Sequence, residues 1–105
     1  MFFHKIDRIE AERRLQKAKV GTYVLREAEG AALVLSRVLG VVKAYLVTVK
    51  EGEKKMGEQL IVHTRWGWTI YRDNPDLGDR EYYRYYDTFQ KALANLEPQA
   101  KTPLR

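Results

Sequence analysis

The sequence is poor in several residue types that would support specific chemistry. It has no cysteine, which excludes a disulfide framework, a thiolate zinc site and a cysteine nucleophile. Its two histidines, His4 and His63, lie far apart with no cluster of ligands around either, so we expect no metal and no cofactor. No apolar run approaches the roughly 20 residues that cross a membrane as a helix, and residues 1–5 lack the apolar core of a signal peptide.

Charge and apolar content limit the partners and the class of protein that the sequence allows. Lys and Arg number 19 against 14 Asp and Glu, and the net charge of +5 favours an acidic partner such as nucleic acid, a phosphopeptide or an anionic lipid. An apolar share of 45% over 105 residues is enough for the core of one domain. No Ser–His–acid set and no pair of carboxylates stands out, so we predict a binding protein and not an enzyme.

Helix signals occur near both ends of the chain. Asp7 is a suitable N-cap for a helix that runs to about Ala18, with Glu10 three residues further on as in a capping box. Asp87 is the predicted cap of a second helix, which ends at Pro98. Apolar spacing predicts that this second helix buries Phe89, Ala92, Leu93 and Leu96.

Strand signals fill the region between the helices. The β-branched and aromatic runs that predict strands cover residues 21–26, 31–39, 41–49, 59–65 and 66–72. A polar, solvated loop is predicted over residues 50–58 and an extended insert over residues 73–86. This order predicts an α+β fold, in which a central antiparallel β-sheet is flanked by two α-helices and the insert precedes the second helix.

The strand that contains Arg26 carries the strongest functional signal. Tyr23 and Leu25 lie on one of its faces and Val24 on the other, so Arg26 shares a face with Val24. A strand that is apolar on both faces is usually covered on both, so we expect the guanidinium to be partly buried. Because a buried charge is costly without a partner and no acidic residue within the strand is placed to pair with it, we predict an external anion. Phosphate best matches the planar donors of arginine.

Two motifs together resemble the Src-homology-2 (SH2) domain, which reads phosphotyrosine peptides. Residues 2–13 resemble the family's opening, with its aromatic pair, Gly-Lys-Ile and first helix, and residues 21–27 resemble its Gly-Thr-Phe-Leu-Val-Arg-Glu strand. Weaker similarities occur at residues 33–36, 42–45 and 88–93. The resemblance implies a non-catalytic phosphotyrosine-binding domain over residues 1–98, followed by a tail over residues 99–105.

The resemblance also implies roles for individual residues. Arg26 matches the strand arginine that binds the phosphate from the pocket floor, and Arg8 matches the first-helix arginine that contacts the phosphate and the ring. The backbone of Glu27 and Ala28 matches the start of the phosphate-binding loop. Ala44 and Leu46 match the residues that flank the ring. Tyr45 matches the position at which the peptide backbone crosses.

The chain departs from the family pattern in ways that affect selectivity. The hydroxyl residue common two positions after the strand arginine is replaced by Ala28, and the following loop is short. Too little chain remains after the second helix for the family's last loop and strand, so we expect weak selectivity for residues that flank the phosphotyrosine. The insert is predicted to fold over the peptide as a lid, through Tyr82, Tyr83 and Tyr85.

The expected setting follows from the same resemblance. The divergence suits a bacterial effector that acts on host phosphoproteins, so we expect a cytoplasmic location, in the host cytosol for a secreted effector. The predicted partners are tyrosine-phosphorylated proteins or peptides. We expect this protein to be a monomer and not to associate with membranes.

Two alternative functions remain open. A basic nucleic-acid-binding domain would stack bases on Trp66, Trp68 and the tyrosines. We disfavour it because a buried strand arginine contributes little to an exposed basic face. A degenerate relative that keeps the fold as a docking scaffold is also compatible with the missing hydroxyl at Ala28.

Overall fold

A computed structural model describes residues 3–28, 41–72, 78–79, 81–96 and 100–104. Within these ranges it contains two helices and five strands: α1 (Arg8–Leu15), β1 (Thr22–Glu27), β2 (Lys43–Gly52), β3 (Lys55–Thr64), β4 (Gly67–Ile70), α2 (Phe89–Ala94) and β5 (Thr102–Pro103). The strands form one sheet in the order β4-β3-β2-β1-β5. All pairings are antiparallel except that of β5 with β1. The two helices pack on opposite faces of the sheet, which confirms the predicted α+β fold.

Helix α1 begins at the predicted cap. The side chain of Asp7 accepts a hydrogen bond of 2.8 Å from the backbone N–H of Glu10, which satisfies one of the free donors of the first turn. Ala11 and Leu15 are fully buried and pack with Val24 of β1. The helix therefore lies over the face of the sheet that carries the even-numbered residues of β1.

The end of α1 is held by a lysine from the sheet. The buried Lys50 donates hydrogen bonds from Nζ to the carbonyl oxygens of Gln16 (2.6 Å) and Ala18 (2.9 Å). The last carbonyls of a helix have no partner within the helix, and a cation there is favoured by the helix dipole. The α-helix ends at Leu15, before the predicted Ala18, and Gln16 is its C-cap.

Strands β2 and β3 form a long hairpin. Their pairing extends from Lys43 opposite His63 to Gly52 opposite Lys55. The prediction of a solvated loop over residues 50–58 is therefore wrong, because most of these residues continue the two strands. The predicted strand over residues 31–39 lies outside the described residues, and β2 is the direct neighbour of β1.

The second helix has a different cap from the one predicted. Oγ1 of Thr88 accepts a hydrogen bond of 3.2 Å from the backbone N–H of Lys91, so Thr88 and not Asp87 is the N-cap. The carboxylate of Asp87 instead pairs with Nζ of Lys91 at 2.8 Å, a contact that lowers the pKa of Asp87. The predicted buried residues are confirmed: Phe89, Ala92, Leu93 and Leu96.

A final strand adds to the edge of the sheet. Thr102 and Pro103 pair in parallel with Thr22 and Tyr23, and the backbone N–H of Leu104 donates to the carbonyl of Tyr23 at 2.8 Å. The expectation that too little chain remains for a last strand is therefore wrong. The predicted boundary between domain and tail falls at residues 97–99, outside the described residues, and stays a prediction. No helix in the described ranges is both long and apolar enough to span a membrane.

Candidate functional site

The candidate site lies on the face of the sheet that α1 covers in part. Two rows of paired residues cross β1, β2 and β3 there: Arg26, Leu46 and Leu60, and beside them Val24, Thr48 and Glu58. Because residues two apart along a strand share a face, all six side chains point to the α1 side. The predicted pocket arginine therefore shares its row with two leucines and lies beside a row that contains Thr48 and Glu58.

Arg26 is buried, with 8% of its surface exposed. Its Nη2 donates to Oγ1 of Thr48 at 3.4 Å and to Oε1 of Glu58. Its Nε is buried and has no hydrogen-bond partner within the described part of the chain. A buried polar atom without a partner is costly, so the guanidinium has a donor that these internal contacts do not satisfy.

The carboxylate of Glu58 lies between the two predicted phosphate-binding arginines. Oε1 accepts from Arg26, and Oε2 lies 3.4 Å from Nε of Arg8. Nε of Arg8 also donates to Glu12 at 3.3 Å. The side chain of Arg8 is 61% exposed and that of Glu58 is 19% exposed, so the pair is open to solvent on the Arg8 side. The structure thus brings Arg8 and Arg26 together around one oxyanion.

The internal partner of Arg26 is a correction to the sequence analysis. From the sequence, only acidic residues within the strand of Arg26 are considered as its partners, and Glu58 is assigned to a solvated loop. The loop assignment is wrong, because Glu58 lies on β3 and pairs with Arg26 from there. The signal that would have found Glu58 is strand register, since Glu58 lies opposite Thr48 and Thr48 lies opposite Val24.

The other predicted site residues divide between the two faces of the sheet. Ala44 and Leu46 lie on the same face as Arg26. Leu46 is directly opposite Arg26 on β2, and Ala44 is in the next row. The backbone N–H of Ala28 donates to the carbonyl of Ala44 at 2.9 Å and so is already used in the sheet. Tyr45 and its exposed neighbour across the ladder, Glu27, lie on the opposite face.

Tyr45 belongs to the core beneath α2. Its ring centroid lies 5.0 Å from that of Phe3, 5.3 Å from Phe89 and 5.9 Å from Trp68. The apolar positions around the candidate pocket are instead Leu46 and Leu60, which are half-buried in the row of Arg26. Leu60 was not singled out from the sequence, because its place depends on the pairing of β3 with β2.

The tyrosine-rich segment, residues 82–86, packs through Tyr83 and Tyr85 on the face of the sheet that carries Arg26. Tyr83 is 3% exposed and packs in a cluster with Ala28, Val41, Ala44 and Val62, and its hydroxyl donates to the carbonyl of Arg72 at 2.7 Å. Tyr85 is half-buried beside that cluster, and Tyr82 is 45% exposed. The structure therefore makes Tyr83 a core residue of this face, and the lid function of the segment stays a prediction.

The aromatic residues considered for base stacking differ in exposure: Tyr83 is buried, Trp68, Tyr85 and Tyr86 are half-buried, and Trp66 and Tyr82 are exposed. Trp68 stacks on His63 with ring centroids 4.2 Å apart, and it also contacts Phe89 in the core beneath α2. Trp66 is more exposed and lies under the guanidinium of Arg65 at 4.4 Å. The described ranges contain no group of three or more His, Cys, Asp or Glu side chains that could hold a metal ion.

Comparison with family models gives a match to the SH2 domain over residues 1–64. The matched region contains α1, β1, β2 and β3, and with them Arg8, Arg26 and Glu58. Comparison with curated protein sequences gives no match.

Proposed function

The chain belongs to the SH2 domain family, and we propose that it holds the phosphate of a phosphotyrosine between Arg26 and Arg8. SH2 domains are non-catalytic modules that bind tyrosine-phosphorylated peptides, so proteins that carry this modification are its partners. The observation that carries the proposal is the convergence of the two arginines on the single carboxylate of Glu58. Two cations that already face one oxyanion form a position in which a phosphate fits.

The chemistry of phosphotyrosine matches this arrangement. The phosphate is close to dianionic at neutral pH and has three acceptor oxygens. Arginine clusters are a recurrent solution for binding it, through charge-assisted and often bidentate hydrogen bonds. Arg26 supplies the buried cation and Arg8 the exposed one, so the phosphate enters from the solvent side and Arg26 receives it at the floor.

The tyrosine ring requires an apolar surface next to the phosphate. Leu46 and Leu60 lie in the same row as Arg26 and are half-buried, and Ala44 lies in the next row. We propose that the ring packs on these side chains. We also propose a cytoplasmic location, because a chain without cysteine suits a reducing compartment.

A fluorescence-polarisation titration tests the proposal directly. A tyrosyl-phosphorylated peptide should bind more tightly than its unphosphorylated twin. Arg26→Ala should weaken the phosphopeptide complex by about 2–5 kcal/mol, which is roughly 30- to 4,000-fold in Kd. Arg13→Ala is the matched control, because Arg13 is an exposed arginine of α1 that bonds to Glu10 outside the site. Equal affinity for the two peptides would overturn the proposal.

A further inference from the structure

We propose that Glu58 is an internal competitor of phosphotyrosine: its carboxylate occupies the phosphate position in the free protein and must leave before a phosphopeptide binds. The inference rests on the proposed function, since it concerns the same two arginines. It goes further because it assigns to a residue of β3 a role in setting affinity and anion selectivity at that position.

The geometry of Glu58 is that of a substitute ligand. Its two carboxylate oxygens are shared between the arginines, Oε1 with Arg26 and Oε2 with Arg8. A phosphate placed between the same cations would use its oxygens in the same manner. Glu58 therefore contacts both arginines. A carboxylate whose role was only to neutralise the buried Arg26 would need to contact that one side chain.

Charge prevents Glu58 and the phosphate from occupying the position together. A carboxylate and a phosphate dianion a few ångströms apart repel strongly in a partly buried site. The two arginines also offer fewer donors to each anion when both are present. Binding is therefore an exchange, in which the phosphate takes the arginines and the carboxylate moves to solvent.

The surroundings permit this exchange without a change of fold. The backbone of Glu58 is fixed in the hairpin opposite Thr48, so the side chain leaves by rotating about its own bonds. Its side chain is already 19% exposed and lies on the open side, next to Arg8. When it leaves, Arg26 keeps its contact with Oγ1 of Thr48, and Nε, which has no partner among the described residues, is available to the incoming phosphate.

An internal competitor lowers the apparent affinity by the fraction of molecules in which the position is open. If the open form is a minor state of about 1–10%, removing the carboxylate raises affinity about ten- to a hundredfold. The same competition favours dianions, because a singly charged carboxylate from a partner gains no more from the arginines than Glu58 does.

The test compares two variants with the same change in charge. Glu58→Gln removes the carboxylate between the arginines, and Glu12→Gln removes the carboxylate that contacts Arg8 alone. Both variants raise the net charge by one, so general attraction to a phosphopeptide rises equally. We expect Glu58→Gln to lower the Kd for the phosphopeptide about ten- to a hundredfold and Glu12→Gln to change it less than about threefold.

Other outcomes separate this inference from the proposed function. If the wild-type protein prefers the phosphopeptide but Glu58→Gln binds it equally or more weakly, Glu58 orients the arginines and the competitor role is wrong. If neither protein distinguishes the phosphopeptide from its unphosphorylated twin, the proposed function itself fails, and the competitor role with it.

A second measurement uses the wild-type protein and does not depend on the folding of a variant. The side-chain carboxyl carbon of Glu58 can be followed by NMR after labelling with 13C, while the phosphopeptide is added to saturation. We expect this resonance to move to the position of a solvated glutamate, while the resonance of Glu51, at the far end of the hairpin, stays in place. A Glu58 resonance that does not move at saturation would contradict the exchange.

Discussion

Arg26 and Glu58 form an ion pair although their strands, β1 and β3, are separated in the sheet by β2. The residues are 32 positions apart in the sequence, and the pair crosses above β2 on the α1 face. The contact joins three strands, and through Arg8 it also joins the first helix. The position proposed for phosphate is therefore also a point at which the sheet and α1 are connected by charge.

The first prediction concerns the contribution of this pair to stability. Arg26→Met should lower the free energy of unfolding by about 1–3 kcal/mol, because it leaves the partly buried carboxylate of Glu58 without its buried partner. The double variant Arg26→Met with Glu58→Leu should recover most of that loss, since replacing both members of a buried pair by apolar residues is often neutral or stabilising. Urea unfolding of both single variants and the double variant measures the coupling. Additive effects would show that the pair is not energetically coupled.

Much of the fold could be predicted because its signals are local. Asp7 lies directly before an amphipathic segment, the alternation around Arg26 identifies a strand covered on both faces, and the spacing of Phe89 and its neighbours identifies a buried helix face. Each of these patterns is contained within a few consecutive residues. Arg8 and Arg26 can be proposed as site residues for the same reason, since each lies inside a recognisable motif.

The parts that could not be predicted depend on pairings between distant residues. The charges around Glu58 indicate a loop when read locally, but the β2–β3 hairpin projects these side chains on both sides of a two-stranded ribbon. The short strand at Thr102 contains a proline and has no alternating pattern, so only its parallel pairing with β1 defines it. Strand register decides which carboxylate reaches Arg26, and register is weakly encoded in a single sequence.

The second prediction concerns Gly67, at the turn into β4. Its φ of +123° lies in the region that favours glycine, and an added Cβ would lie 2.6 Å from the carbonyl oxygen of Tyr86. That carbonyl accepts a hydrogen bond of 2.7 Å from the backbone N–H of Trp68, which attaches the tyrosine-rich segment to the sheet. Gly67→Ala should therefore destabilise the protein by about 1–3 kcal/mol through strain and displacement of the segment.

The matched control for this prediction is Gly52→Ala, at the end of β2. The nearest atom to an added Cβ there is the Cβ of Lys55, at an ordinary contact distance of 3.7 Å, and the backbone has no positive φ. Thermal unfolding followed by tryptophan fluorescence compares the two variants. A Tm for Gly67→Ala as high as that of Gly52→Ala would show that the close approach to Tyr86 is not required.

The third prediction concerns the cation at the end of α1. Lys50→Met keeps most of the buried side-chain volume but removes the two hydrogen bonds to Gln16 and Ala18. The loss should be about 1.5–3 kcal/mol in the free energy of unfolding, because hydrogen bonds to a charged group are among the stronger ones. Lys54→Met, in the exposed turn of the same hairpin, is the control for the loss of charge. Hydrogen exchange should speed up in the last turn of α1 for Lys50→Met and remain unchanged for the control.

The fourth prediction concerns the pH dependence of α1. Hydrogen bonds from Arg13 and Arg14 lower the pKa of Glu10 from 4.5 to about 2. Because the pKa in the folded protein is below that in the unfolded chain, the ionised carboxylate stabilises the folded state above pH 4.5. That contribution is lost progressively as the pH falls from there towards 2. NMR titration of the Glu10 carboxyl carbon should give a midpoint near 2.

A variant of Arg13 and Arg14 tests whether these two arginines are the cause of the lowered pKa of Glu10. Replacing both Arg13 and Arg14 by glutamine removes the charged donors while retaining helix-forming side chains. The midpoint of Glu10 should then rise towards its ordinary value, and the helix should lose less stability on acidification than in the wild-type protein. A midpoint that stays near 2 in this variant would assign the shift to the position of Glu10 in the first turn of α1 and its dipole, and not to the two arginines.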